Sequence, residues 1–151
     1  MPYIHIRVAS EYLSPHQIRQ LSQGTTRLMN ERLRKRPDLT VVTVETLPPE
    51  RWFLAGAPIP TRGHCTRTAR PLRWLAGASP LPTGACAAMA EIKITQGSNS
   101  AEEKAAFLAD FHRLLGDCLG PLDTPAYVVI HDVPGSDWGY DGASQAQRRP
   151  T

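Results

Sequence analysis

Pro2 directly follows the initiating methionine. Proline at this position favours methionine removal, which would leave a free secondary amine. An ordinary α-amino group has a pKa of roughly 8. Apolar walls or nearby cations disfavour the ammonium and lower that value. Such an amine, neutral at about pH 7, takes a proton from carbon and returns it to a neighbouring atom, and its protonated form is an acid. The other chemistry-bearing residues form weaker patterns. Cys65, Cys86 and Cys118 are odd in number, with no Cys-x-x-Cys pair, which argues against a disulfide framework and a zinc site. Gly63-His64-Cys65 has no second ligand pair to complete a metal centre. Neither a metal nor an organic cofactor is expected.

Elements at a fixed spacing position Pro2. Tyr3 to Val8 alternates as a strand, and Ser14-Pro15 opens a helix whose apolar positions are Ile18, Leu21, Thr25, Leu28, Met29 and Leu33. Pro37 ends that helix, and residues 40–45 form a β-branched strand. The second half repeats the pattern. A strand over 90–95 precedes a helix that Asn99 or Ser100 can cap, Ser100 with Glu103 fitting a capping box; the helix buries Ala106, Phe107, Phe111, Leu114 and Leu115, and a strand over 126–131 follows. Trp52-x-x-x-Gly56 and Trp138-x-x-x-Gly142 stand 86 residues apart, as do Ile6 and Ile92. The spacing predicts an α+β sandwich. Two tandem β-α-β units form a four-stranded sheet with two helices on one face, and each unit ends in a short aromatic-glycine hairpin. The expected organisation is one domain of two repeats, 2–56 and 88–142, with an insert at 57–87. The residues after Gly142 read as an exposed arm or a frayed end.

Composition narrows the partners. The chain has 151 residues and a net charge of +3, with 14 arginines and 3 lysines among its cations. The densest basic run, Arg32 to Arg36, reads as a solvated helix end rather than a nucleic-acid face. No apolar run reaches the roughly 18 residues of a membrane span, and no signal core opens the chain. The expectation is a cytoplasmic protein that binds neither nucleic acid nor membrane.

An amino-terminal proline, tandem β-α-β units and an aromatic-glycine tail after each unit together resemble the tautomerase superfamily. The second half is similar to the short 4-oxalocrotonate tautomerase subunit through Ile92-Lys93-Ile94 to Gly97, Glu102 and Lys104, and Trp138 to Gly142. The first half resembles the double-length cis-3-chloroacrylic acid dehalogenase through Val8 to Pro15 and Trp52 to Gly56. The resemblance implies a homotrimer, since three double units supply as many β-α-β units as six single ones. It also implies Pro2 as general base or acid in keto-enol or double-bond tautomerisation of a 2-oxo or unsaturated carboxylic acid. By the same likeness, Trp52 and Trp138 wall the pocket, and Asp137 matches the dehalogenase's water-activating acid. Hydration or dehalogenation of a 3-haloacrylate is therefore the alternative reaction, and a catalytically weak scaffold is the other reading.

The chain departs from the family at its carboxylate-binding arginines. Tyr12, Ser98, Thr40, Tyr127 and Thr95 stand where arginines are expected, and Met29 replaces a histidine. Arg7, on the strand face shared with Tyr3 and His5, is the first candidate replacement, with an ion pair at a subunit contact as the competing reading. Arg73 from the insert is the second candidate. Tyr127 could donate a hydrogen bond to a developing enolate oxygen, or serve only as a strand former.

Overall fold

Alternation makes the first strand, β1 (Tyr3–Ala9): Ile4, Ile6 and Val8 are fully buried, while Tyr3, His5 and Arg7 face the other way. The computed structural model describes residues 1–59, 86–122 and 125–148. Ser14 starts α1 (Pro15–Leu33) with a reciprocal cap. The Ser14 hydroxyl accepts the Gln17 N–H, and the Gln17 side chain accepts the Ser14 N–H. Arg34 closes the helix in the left-handed conformation, and the Arg34 and Lys35 N–H groups donate to the Asn30 and Met29 carbonyls. A 3-10 turn at Pro37–Leu39 leads into β2 (Val41–Leu47). The first unit ends in a hairpin of β3 (Phe53–Leu54) and β4 (Ala57–Pro58).

The second unit follows the same plan. It consists of β5 (Ala88–Thr95), α2 (Ala101–Leu119), β6 (Tyr127–Val133) and a hairpin of β7 (Gly139–Tyr140) and β8 (Ala143–Ser144). Ser100 and Glu103 form the second capping box. Each hairpin turns through two residues at positive φ, Ala55-Gly56 and Asp141-Gly142, the conformation of tight hairpin turns that match strand twist. This is the physical content of the repeated Trp-x-x-x-Gly spacing. Residues 143–148 do not extend as an arm. They continue into β8, and Arg148 returns to stack its guanidinium 3.9 Å from the Tyr140 ring centroid and to donate to the Tyr140 carbonyl.

The sheet order is β2-β1-β5-β6. Strands are parallel within each unit, and the central pair β1·β5 is antiparallel, with Tyr3 opposite Lys93 and Val8 opposite Ala88. The two units are thereby related by an approximate twofold. The start of β1 lies level with the ends of β5 and β6, and the start of β5 lies level with the ends of β1 and β2. Both helices cover one face, where Ile4, Ile92 and Ile94 meet Leu28, Phe107 and Phe111 in one core. The opposite face carries the exposed side chains of Val41, Tyr127 and Val129 beside its charged residues.

Three expectations are corrected. Ile18 is 42% exposed and Ala106 is exposed, while α1 buries Gly24 and α2 buries Cys118 and Leu119. The helices pack on each other as well as on the sheet, which rotates the buried stripe. A Cβ at Gly24 would lie 2.5 Å from Leu114 Cδ1, so glycine permits the close approach. Cys86 is disulfide-bonded, whereas the buried Cys118 is in no disulfide. An odd cysteine count excludes a complete set of bridges but not one. No helix among the described residues is long and apolar enough to cross a membrane.

Candidate active site

Pro2 is buried at the start of β1, and its carbonyl accepts the Val41 N–H at 3.2 Å. Burial first, then the charges of Lys35 and Arg36, hold the amino-terminal ammonium of Met1 below its ordinary value of 8.0. The chain termini of several elements meet here because β1 starts where β5 and β6 end. Gln96 donates to the Val133 carbonyl at 2.9 Å, anchoring the loop after β5 to the end of β6. The Lys35 ammonium donates to the Ser98 hydroxyl in that loop at 2.7 Å. The Arg36 guanidinium grips Asp38 and is held above its ordinary value by that carboxylate first and by Tyr140 last. The second hairpin follows the end of β6, which lies level with the start of β1, so Tyr140 belongs to the same end of the sheet.

The predicted site residues divide between the two ends of the sheet. Trp138 and Asp137 belong to the Pro2 end. The Trp138 carbonyl accepts the Gln145 N–H at 2.9 Å, and its indole N–H is buried with no hydrogen-bond partner among the described residues. Asp137 is exposed, and the Ser136 hydroxyl donates to its carboxylate at 2.6 Å. These residues and Ser144 border a hollow of about 390 Å³, within the usual range of small-ligand sites. Trp52 is at the opposite end, packed on Ala9, Ile59 and Ala87. Tyr127 opens β6 opposite Met89, also at the far end, and is 64% exposed. Arg7 lies five residues along β1 from Pro2, roughly 16 Å at strand spacing. Its guanidinium contacts Glu45 and Glu91, each at 3.3 Å, and His5 also meets Glu45 at 3.0 Å. Within one chain, then, Arg7 is engaged in a cross-strand ion-pair network and not placed beside Pro2. Arg73 lies outside the described residues.

Sequence reading missed Lys35, Arg36 and Tyr140. The basic run that contains the two cations is a solvated helix end, with Arg32, Arg34 and Arg36 exposed, and its arginines are also ion-paired. Arg32 meets Asp110 at 2.6 Å, Arg34 pairs with Glu103, and Arg36 pairs with Asp38. The available signal was Pro37. It forces a stop just after the run, so the last cations turn back over the start of β1 instead of continuing along the helix.

One glycine secures the hairpin at this end. A Cβ on Gly139 would lie 2.1 Å from the Ala143 carbonyl oxygen and 2.7 Å from the Ser144 Cα, both backbone atoms. Gly139→Ala is expected to destabilise the protein by about 1–3 kcal/mol as the hairpin opens. In a ¹⁵N spectrum the Trp138 indole resonance shifts while that of Trp52 stays in place. An unchanged Trp138 resonance contradicts the tight pairing of β7 with β8.

Comparison with known proteins places these features in a family. A family model described as tautomerase enzyme matches residues 89–148, the second unit and its hairpin. Over 62 residues the chain is 31% identical to a probable tautomerase K2 of Dickeya dadantii (strain 3937), covering 41% of this chain and 92% of that protein. Two solved structures share the fold across nearly the whole chain. One is a fused 4-OT wild-type symmetric trimer, 15% identical, with a TM-score of 0.72 over 96% of this chain and 97% of that one. The other is a member of the cis-3-chloroacrylic acid dehalogenase family, 15% identical, with a TM-score of 0.68 over 94% of this chain and 82% of that one. With its second unit matched in sequence over nearly the full length of a tautomerase, and both units built on one β-α-β plan, this chain belongs to the tautomerase family.

Proposed function

We propose that this protein is an isomerase-type enzyme that uses the Pro2 amine, freed by loss of Met1, to move a proton on an enol or unsaturated 2-oxo acid. The observation that carries this reading is the setting of the amino terminus: a buried Pro2 next to an amine that burial first, then Lys35 and Arg36, discourage from protonation. Removing Met1 shifts the amine one residue inward, to the buried position. The neutral base then needs no metal to be active. Trp138 supplies an apolar wall at the same end, and the exposed apolar side chains of the open sheet face support assembly as a homotrimer.

The sign of the pH dependence follows. An amine at the ordinary value of 8.0 is about one-tenth neutral at pH 7. A lowered value enlarges that fraction. Ketonisation of phenylenolpyruvate is therefore expected to rise with pH as the amine loses its proton, and to level off below pH 8. The experiment is a pH–rate profile on purified protein whose intact mass shows Met1 removed. No turnover in that material, or a midpoint at or above 8.0, contradicts the reading.

One observation favours a second reading. Asp137 is exposed on the hairpin at the Pro2 end, with its carboxylate fixed by Ser136. A carboxylate there can activate water while protonated Pro2 acts as the acid, giving hydration or hydrolytic dehalogenation of a 3-haloacrylate. Halide release from that substrate, lost in Asp137→Asn, would distinguish it from tautomerisation.

A further inference from the structure

Arg148, in the tail that returns over the second hairpin, meets a ring and a carbonyl but no anion. Its guanidinium carbon lies 3.9 Å from the Tyr140 ring centroid, and one Nη donates to the Tyr140 carbonyl at 2.7 Å. Among the described residues no carboxylate, Asp141 of the hairpin turn included, pairs with it. Asp132 near the end of β6 is held by Lys104, and the Ser136 hydroxyl donates to Asp137. We propose that Arg148 is the cation that receives the substrate carboxylate in this chain. The inference rests on the tautomerase reading and names its substrate-binding residue.

The tail is folded so as to hold Arg148 in place. Ser144 and Gln147 cap each other: the Gln147 N–H donates to the Ser144 hydroxyl at 3.3 Å, and the Ser144 N–H donates to the Gln147 side-chain carbonyl at 2.8 Å. The Arg148 N–H donates to the Ser144 carbonyl at 3.3 Å and closes the turn. The Ala146 N–H donates to the Gly135 carbonyl at 2.8 Å, which ties the turn to the loop directly after β6. That loop leaves the Pro2 end of the sheet, because Tyr3 lies opposite Lys93 and Lys93 opposite His131. Tyr140 also borders the hollow of about 390 Å³ at this end, so a cation stacked on its ring stands at the margin of that space.

The ring and the carbonyl orient the guanidinium without cancelling its charge. The carbonyl takes one of its five N–H groups, and the others keep the planar fork that fits both oxygens of a carboxylate. Arg34 and Arg36 are also at this end, but Glu103 and Asp38 already neutralise them. Thr95 and Ser98, at the end of β5, stand where the resemblance calls for arginines. The tail supplies from another element the charge that these two positions lack.

The test is equilibrium binding of phenylpyruvate to the full-length protein by calorimetry, with its methyl ester as the uncharged reference. Arg148→Gln is expected to weaken binding of the acid by about tenfold, the loss of a charge-assisted pair at an accessible site. Binding of the ester should change by less than about threefold. Arg148→Lys keeps the charge but not the fork, and its preference for the acid should fall between those of wild type and Arg148→Gln. Tyr140→Leu removes the ring that orients the guanidinium and should reduce the preference, whereas Tyr140→Phe should keep it. Arg113→Gln, on α2 and paired with Asp110, removes the same net charge and should leave the preference unchanged. The ratio of acid to ester binding separates a lost anchor from a disturbed hairpin, which weakens both ligands alike. An acid preference that survives in Arg148→Gln, or a wild-type protein that does not prefer the acid, overturns the proposal. Turnover by Pro2→Ala is a separate readout, so failure of the amine mechanism and failure of the anchor are distinguishable.

Discussion

Pro2→Ala should lower phenylenolpyruvate ketonisation by about 10²–10⁴-fold, the usual contribution of a positioned general base. Alanine still leaves an amine once Met1 is removed, so the loss measures what the pyrrolidine ring adds. The ring ties the nitrogen back to Cα through Cδ, Cγ and Cβ and so fixes the direction of the nitrogen lone pair. It also shields the nitrogen from water, which keeps the amine neutral. The alanine amine rotates freely and is better hydrated. The remaining contacts are kept, because the hydrogen bond from Val41 goes to the backbone carbonyl of residue 2. Melting temperature should therefore change by less than about 4 °C, corresponding to under ~1 kcal/mol in a chain of this size. A second preparation sharpens the test. If Met1 is retained, the Pro2 nitrogen becomes a tertiary amide with no basic lone pair, and activity should fall to background. Turnover that persists in both proteins would remove the amine from the mechanism.

The fold was legible where local chemistry sets it. Ser14 with Pro15 and Ser100 with Glu103 announce two helix starts, and both cap as the residue types require. The paired Trp-x-x-x-Gly segments announce two hairpins, and the turns at Ala55-Gly56 and Asp141-Gly142 explain the spacing. Less was legible where one element chooses another. Ile18 lies on the apolar stripe of its helix but remains 42% exposed, while Cys118 and Leu119 at the end of α2 are buried. Helical periodicity gives the width of a stripe. Its rotation depends on the partner, here an α1·α2 contact made close by Gly24 against Leu114.

The site was legible in part for the same reason. Pro2 is marked by position alone. The partition of Trp52 and Trp138 is not, because the repeat spacing treats them as equivalents. Only the antiparallel pairing of β1 with β5 decides which end each serves. That pairing sends the first unit's hairpin to the start of β5, where Trp52 packs on Ala87, and the second unit's hairpin to the end that holds Pro2. The repeat is thus reciprocal: each unit's tail serves the first strand of the other. Arg7 was attractive because it shares a strand face with residues near Pro2. Strand alternation gives the face but not the neighbours, and Glu45 and Glu91 meet it from both adjacent strands. Lys35 was hidden inside a charge run, where side chains of one type were read as one surface although each has a different partner.

Phe107→Ala should be the most damaging single truncation in the core, at about 3–5 kcal/mol. Phe107 is 0% exposed and stacks on Phe111, also 0% exposed, with ring centroids 5.5 Å apart and planes 16° apart. Truncation removes apolar area, an aromatic pair and the filling of a site enclosed by helix and sheet. With total stability of about 5–15 kcal/mol, such a loss is a large fraction of the whole. It should lower the melting temperature by roughly 6–20 °C at fixed protein concentration. The effect reaches the Pro2 end through the start of α2. Glu103, one turn before Phe107, pairs with Arg34, and Asn99 donates to the Leu33 carbonyl at 3.1 Å. These contacts fix the end of α1 against the loop that carries Ser98. Loosening α2 should therefore also lower turnover at the Pro2 end. Phe107→Leu, which keeps most of the volume, should lose less than about 1.5 kcal/mol. A Phe107→Ala protein that melts within about 4 °C of wild type would mean that the core collapses onto the vacated space, and that α2 is held by its caps and ion pairs rather than by this aromatic pair.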